Sequence, residues 1–351
     1  MSGKEQKENL KPDTRPQGAR FSLITYLDSG GSVLLTLLAT CTGIAVLAFG
    51  ADRFVVAAAS LARRLGVSPL FVGLTIVSVG TSFPELVVSA TAVLSGHSAL
   101  AVGNILGSNI ANVFLVLGLS SLLQPVKVDP EVMVRDYSAL LLATVTAWLM
   151  SSNGMLGRLE GTTLLVGMIV YYGVTLRTAK ARGDWKLKGA TTENGHLPTQ
   201  SLYGLVGRLV VSLVLLLIGS RLLIWGGVGL ARAVGVSELV IGLTVVALGT
   251  SLPELATTLT GIIKKQDAIA VGNVVGSNIF NTLAILGTIS ILRPLPISSE
   301  NFSRDFPATL LASLILWPVS WSRRKGQGRV NRFEGGILLG LYGAYLYLLT
   351  G

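Results

Sequence analysis

Cysteine is almost missing from this chain: Cys41 stands alone in an apolar run, so no internal disulfide framework can form. Histidine is nearly as scarce, with His97 at a predicted loop and His196 in a linker. Zinc, copper and iron sites, which draw on these two residue types, are therefore disfavoured, and a serine hydrolase would lack its usual base. Charge is thin as well, at 13% of 351 residues against 50% hydrophobic, which excludes an ordinary soluble domain. Residues 1–20 are polar and mixed in charge and lack the apolar core of a cleavable signal peptide. No stripe of aromatic and basic residues accompanies the net charge of +10, so no nucleic-acid partner is implied.

Long apolar runs are what the chain has. A helix needs about 20 apolar residues to cross the hydrocarbon core, and windows of that length predict ten spans: 33–64, 68–94, 99–122, 133–151, 158–177, 204–233, 237–263, 268–292, 305–321 and 333–349. The predicted architecture is an all-α membrane protein. Its parts are a polar tail (1–31), a first five-span repeat (32–178), a linker (179–203) and a second repeat (204–351). Lysine and arginine number 17 on the face holding the linker and nine on the face of the termini. The positive-inside rule then puts the linker in the cytoplasm and both termini outside, in a bacterial-type plasma (inner) membrane. Asp52, Arg53 and Arg221 fall near membrane depth and are expected to snorkel to an interface.

The two halves repeat each other. At an offset of 169, 31 of the 71 positions from Gly50 to Ser120 are identical, too many for coincidence between two apolar segments. Five spans per half is an odd number, so equivalent helices cross in opposite directions. Inverted repeats of this kind build a site near the midplane and suit alternating access. A channel can share the symmetry without requiring it.

Within the repeat, "VGTSFPEL" (79–86) matches "LGTSLPEL" (248–255). Proline lacks an N–H and crowds the carbonyl four residues earlier, so both helices should break near Gly80 and Gly249 and free backbone oxygens there. Lipid tolerates such oxygens only beside a cavity, another helix or an ion. Thr81 and Ser82 share a helix face with Glu85, and Thr250 and Ser251 do so with Glu254. A carboxylate at this depth costs several kcal/mol and marks function by default. Neither glutamate has a basic residue nearby in sequence, since none occurs between Leu65 and Val126 or between Ala233 and Gly261. A divalent cation or protons must compensate them.

Downstream, "GNILGSNIAN" (103–112) matches "GNVVGSNIFN" (272–281). Asn104, Ser108 and Asn112 lie four apart and form one slowly drifting stripe. Gly103 with Gly107, and Gly272 with Gly276, are small-xxx-small pairs that let another backbone approach. Asn104 and Asn273 can serve either as helix glue or as ligands; Asn112 and Asn281 are the stronger candidates for ion contact. The summed donors are two carboxylates, four hydroxyls, Ser108, Ser277, amide oxygens and freed carbonyls. That is a hard-cation set, and calcium takes six to eight such oxygens.

These paired motifs in inverted halves resemble the alpha repeats of the sodium/calcium exchanger family, over nearly the whole chain after the tail. The resemblance implies a binding core on spans two, three, seven and eight, with the long first and sixth spans sliding as a gate. It implies ligands at Thr81, Ser82, Glu85, Ser108, Asn112, Thr250, Ser251, Glu254, Ser277 and Asn281, and sodium-binding carbonyls at Ser78 and Ala247. Asn281 is neutral where the potassium-dependent branch carries an acid, so potassium dependence is disfavoured. The implied activity is antiport of three sodium ions for one calcium ion, with proton/calcium or potassium-dependent exchange as alternatives and a channel as the rival class. No cofactor and no enzymatic activity are expected. The partners are the transported ions and the lipid bilayer, and a monomer suffices for transport.

Overall fold

The computed structural model describes residues 30–128, 132–181, 201–236, 247–320 and 328–350. The predicted start of the seventh span, 237–246, lies outside the described residues, as do the N-terminal tail and most of the linker. The helices, in chain order, are α1 (Gly30–Leu65), α2 (Pro69–Thr81), α3 (Phe83–Leu94), α4 (Ser98–Leu123) and α5 (Val132–Asp136 running into Tyr137–Met150). They continue as α6 (Arg158–Ala181), α7 (Leu202–Ala233), α8 (Ala247–Thr250), α9 (Leu252–Ile263) and α10 (Asp267–Leu292). The last two are α11 (Asn301–Asp305 running into Phe306–Ser320) and α12 (Arg332–Thr350). Among the described residues, five helices are long and apolar enough to cross a membrane, or six if α2 and α3 count as one bent span. The architecture is an all-α membrane fold, as the hydropathy predicts.

Helices α4 and α10 form the centre. In their most apolar windows 72% and 83% of residues are buried, against 22% for α1 and 33% for α7. The two long helices therefore lie at the periphery, where exposed Leu34, Ile44, Val210 and Ile218 face lipid. At 36 and 32 residues they are roughly 50 Å long, well beyond a hydrocarbon core of about 30 Å. They run antiparallel against each other, because Gly43 meets Leu223, Leu47 meets Gly219 and Gly50 meets Leu216. A Cβ added at Gly43 would come within 2.6 Å of the Leu223 amide nitrogen, and one at Gly219 within 2.5 Å of that of Leu47. Only glycine allows backbones this close.

Both ends of the molecule are tied by strand pairs that cross between the halves. β1 (Val126–Val128) pairs antiparallel with β4 (Gly328–Val330), and β2 (Met155–Leu156) pairs with β3 (Leu295–Pro296). Two buried carboxylates add side-chain ties. Asp136 is held by Arg135 and by the hydroxyl of Tyr171 on α6. Asp305 is held by Arg304 and by the hydroxyl of Tyr345 on α12.

The proline breaks lie two residues later than the sequence suggests. α2 and α3 meet at a bend of 41°, and the residue between them is Ser82 (φ −83°, ψ 7°). Ser251 (φ −87°, ψ 5°) takes the same conformation between α8 and α9. Pro84 and Pro253 are the second residues of α3 and α9. A missing N–H costs nothing in a first turn, so the chain restarts its helix just before the proline instead of ending it four residues earlier.

The backbone-approach role of the glycines is met at Gly272 and Gly276. A Cβ there would lie 2.9 Å from the Leu70 carbonyl oxygen and 2.7 Å from that of Leu74, both on α2. The matching contacts of Gly103 and Gly107 would fall at 239–243, outside the described residues.

Candidate functional site

Each bend delivers its glutamate to the molecule's interior. Glu85 and Glu254 stand in the first turns of α3 and α9 and are fully buried, where the positive end of a helix dipole favours an anion. Their partners come from opposite halves of the chain. Ser82 Oγ donates to Glu254 Oε1 at 2.9 Å, and Ser251 Oγ donates to Glu85 Oε1 at 3.4 Å. Ser108 Oγ also donates to Glu85 Oε1, at 3.4 Å. Each carboxylate is thus held by the hydroxyl that precedes the other, which draws both into one site. Among the described residues the ion pairs are Arg135–Asp136, Lys264–Asp52 and Arg304–Asp305, none of which involves Glu85 or Glu254.

The threonines bond across the halves in the same reciprocal way. Thr81 Oγ1 donates to Asn273 Oδ1 at 2.9 Å, and Thr250 Oγ1 donates to Asn104 Oδ1 at 3.4 Å. The amide nitrogens of these asparagines donate to Thr258 and Ser89 on the neighbouring helices. Asn104 and Asn273 therefore use both ends of their amides in joining helices, as the glue role requires.

Asn112 and Asn281 behave differently. Both are fully buried and both open a wide, π-type stretch of helix, Asn112–Leu117 and Asn281–Ile285, a feature that recurs at functional sites. Asn112 Nδ2 donates to Asn278 Oδ1 at 3.0 Å, and Asn281 Nδ2 donates to Asn109 Oδ1 at 3.1 Å. With their nitrogens committed, their oxygens are turned the other way and have no partner. The pair that orients them is itself anchored, because Asn109 Nδ2 donates to Thr282 Oγ1 and Asn278 Nδ2 to the Asn109 carbonyl. Asn109 and Asn278 are repeated in the sequence yet are absent from the residues singled out there. They lie one position off the four-residue stripe, and only their pairing across the two halves reveals their role.

Five buried oxygens in this region lack any protein donor: Glu85 Oε2, Glu254 Oε2, Asn112 Oδ1, Asn281 Oδ1 and Ser277 Oγ. Leaving such groups unmatched costs roughly 1–3 kcal/mol each, and more for carboxylates. Oxygens without donors are what a hard cation compensates. Of the expected carbonyl ligands, that of Ser78 accepts from the Ser82 amide at 3.0 Å and from Thr81 Oγ1 at 3.4 Å, while Ala247 is helical and is the first described residue of its segment. A cavity of about 540 Å³ reaches the same region, with Asn104, Ser108, Ser220, Gly249 and Thr250 in its wall.

The residues expected to snorkel have specific surroundings. Asp52 pairs with Lys264 Nζ at 2.7 Å, joining α1 to the end of α9. Arg53 stacks on Phe49, 5.1 Å from the ring centre. Arg221 lines the cavity.

Three comparisons bear on what such a site does. A profile of the family described as "Sodium/calcium exchanger protein" matches residues 35–177 and 204–351. Among curated relatives, inner membrane protein YrbG of Escherichia coli (strain K12) is 36% identical over 327 residues, covering 91% of this chain and 98% of the relative. Sodium/calcium exchanger MaX1 of Methanosarcina acetivorans is 32% identical over 353 residues, covering 90% of this chain and 99% of the relative. Among solved structures, the sodium-calcium exchanger NCX_Mj, soaked with zero Na+ and Ca2+, superposes with a TM-score of 0.75 at 29% identity. That match covers 90% of this chain and 99% of the other.

Proposed function

Because the chain belongs to the sodium/calcium exchanger family, and is thus a membrane cation/calcium antiporter, we propose that it exchanges three sodium ions for one calcium ion by alternating access. The carrying observation is the set of five donorless oxygens grouped around Glu85 and Glu254. The proposed ligands are Thr81, Ser82, Glu85, Ser108, Asn112, Thr250, Ser251, Glu254, Ser277 and Asn281, with the carbonyls of Ser78 and Ala247 reserved for sodium.

The stoichiometry is the one the family resemblance implies, and the charge of the site accommodates it. Two carboxylates neutralise one calcium ion, and they leave one positive charge when three sodium ions take its place. Both states are tolerable in a low-dielectric interior, whereas two bare carboxylates would be strongly penalised. Empty carriers therefore tend not to reorient, and this couples the two fluxes.

Alternating access needs an element that moves against a fixed site. Helices α1 and α7 suit that role, since they are far less buried than the central α4 and α10 and meet each other through glycine-lined backbone contacts. The positive-inside count puts the cavity on the outer face, with the termini outside and the linker within. One chain carries both half-sites, so a monomer suffices.

Proton/calcium exchange is the second reading. It draws on the absence of any cationic partner for Glu85 and Glu254 among the described residues, since a proton neutralises a carboxylate as a metal does. Calcium uptake into sodium-loaded vesicles, with pH and potassium varied separately, tests the proposal. Uptake should follow the sodium gradient, carry current and ignore potassium. Uptake driven by a pH gradient alone would select the second reading.

A further inference from the structure

One contact near the site has no counterpart in the other half. Pro253 lacks an N–H, so the Gly249 carbonyl loses the donor that a continuous helix would supply four residues later. Ser220 of α7 fills that place, with its Oγ 2.9 Å from the Gly249 oxygen. Ser220 is 4% exposed. At the equivalent position of the first half stands Ala51, whose methyl group cannot donate. The contacts of Ser82 and Ser251 with the carboxylates, and of Thr81 and Thr250 with the asparagines, occur in reciprocal pairs, whereas this one is single.

The contact sits where α7, the cavity and the site converge. Gly249 lies directly against the Ile224 side chain of α7, with no room for a side chain of its own. The next residue is Thr250, bonded to Asn104, followed by Ser251, bonded to Glu85. Gly249 sits just before the break at Ser251, where Pro253 supplies no backbone donor to its carbonyl, and the Ser220 contact holds that end of α8 against α7.

We infer that Ser220 is a positioning residue: its hydroxyl caps the Gly249 carbonyl, fixes the Ala247–Thr250 turn against α7, and thereby sets the cation affinity of the site on the cavity side. Ser220 does not touch the ion. The inference rests on the cation site proposed above and names an element that distinguishes its two faces.

The test uses the full-length chain with Ser220→Ala and Ser220→Thr, read in two ways. Calcium-dependent thermal stabilisation of the purified protein gives an apparent Kd without requiring transport. Calcium uptake measured from each face of oriented vesicles gives the two half-saturation concentrations. Loss of one neutral hydrogen bond predicts that Ser220→Ala weakens calcium binding about two- to tenfold, with the change confined to the cavity face. Ser220→Thr, which keeps the hydroxyl, should stay near wild type. The inference is overturned if Ser220→Ala binds as wild type, if threonine behaves like alanine, or if both faces shift equally, which would indicate general loosening. Should wild type bind calcium without sodium-driven uptake, the exchange mechanism fails while the stabilisation assay still decides the role of Ser220.

Discussion

Substituting Asn278 by alanine probes how the site aims its oxygens. Asn278 Oδ1 takes the amide nitrogen of Asn112, and its own nitrogen donates to the Asn109 carbonyl, each at 3.0 Å. Alanine removes both, so Asn112 Nδ2 is left buried without an acceptor. The amide can recover one by rotating its nitrogen toward the cation position, which turns a ligand dipole the wrong way. An unmatched buried polar group costs about 1–3 kcal/mol. If that cost falls on the cation-bound state, calcium affinity drops by a factor of about 5 to 150, at 1.4 kcal/mol per tenfold. Half-saturation of sodium-driven calcium uptake is the assay, with calcium-dependent thermal stabilisation beside it. A double-mutant cycle isolates the orienting effect: in an Asn112→Asp background, where both rotamers present an oxygen, adding Asn278→Ala should cost far less. Equal losses in both backgrounds, or no loss in the first, would refute the idea that Asn278 acts by orienting Asn112.

Gly43→Val would set a side chain against the α7 backbone, with its Cβ 2.6 Å from the Leu223 nitrogen; transport should be abolished and the thermal midpoint lowered. Lys264→Gln breaks a partly exposed ion pair with Asp52, of a kind usually worth about 0.2–1 kcal/mol, so transport kinetics should change less than about fivefold, and less still in high salt. Pro84→Ala restores an N–H four residues after Gly80 and should relax the 41° bend that presents Ser82 and Glu85; a loss of calcium affinity of at least about tenfold is expected, measured by the same stabilisation assay.

Much of this was legible from residue patterns because lipid imposes strict rules. Apolar windows bound the helices to within a few residues: the span read as 99–122 is Ser98–Leu123, and 268–292 is Asp267–Leu292. The doubled Pro-Glu and asparagine motifs pointed to residues that the structure brings together, since a buried carboxylate without a basic neighbour has few explanations. The bends were misplaced by two residues, because the rule for proline inside a helix was applied where proline instead begins one. Asn109 and Asn278 were overlooked as orienting residues since their partners lie 173, 172 and 166 positions away. Ser220 gave no signal at all: it is one serine in an apolar run, and its repeat equivalent is alanine. The two- and three-residue strands at the ends are too short to carry a periodic pattern.

The central claim is that Glu85 and Glu254 hold one cation jointly. Equilibrium calcium binding to the purified chain, compared among wild type, Glu85→Gln, Glu254→Gln and the double variant, tests it most directly. Joint coordination predicts one calcium ion per chain in wild type and loss of about a hundredfold or more in affinity from either single change, with the double variant little worse than each. A single variant that still binds one calcium ion with wild-type affinity would contradict it.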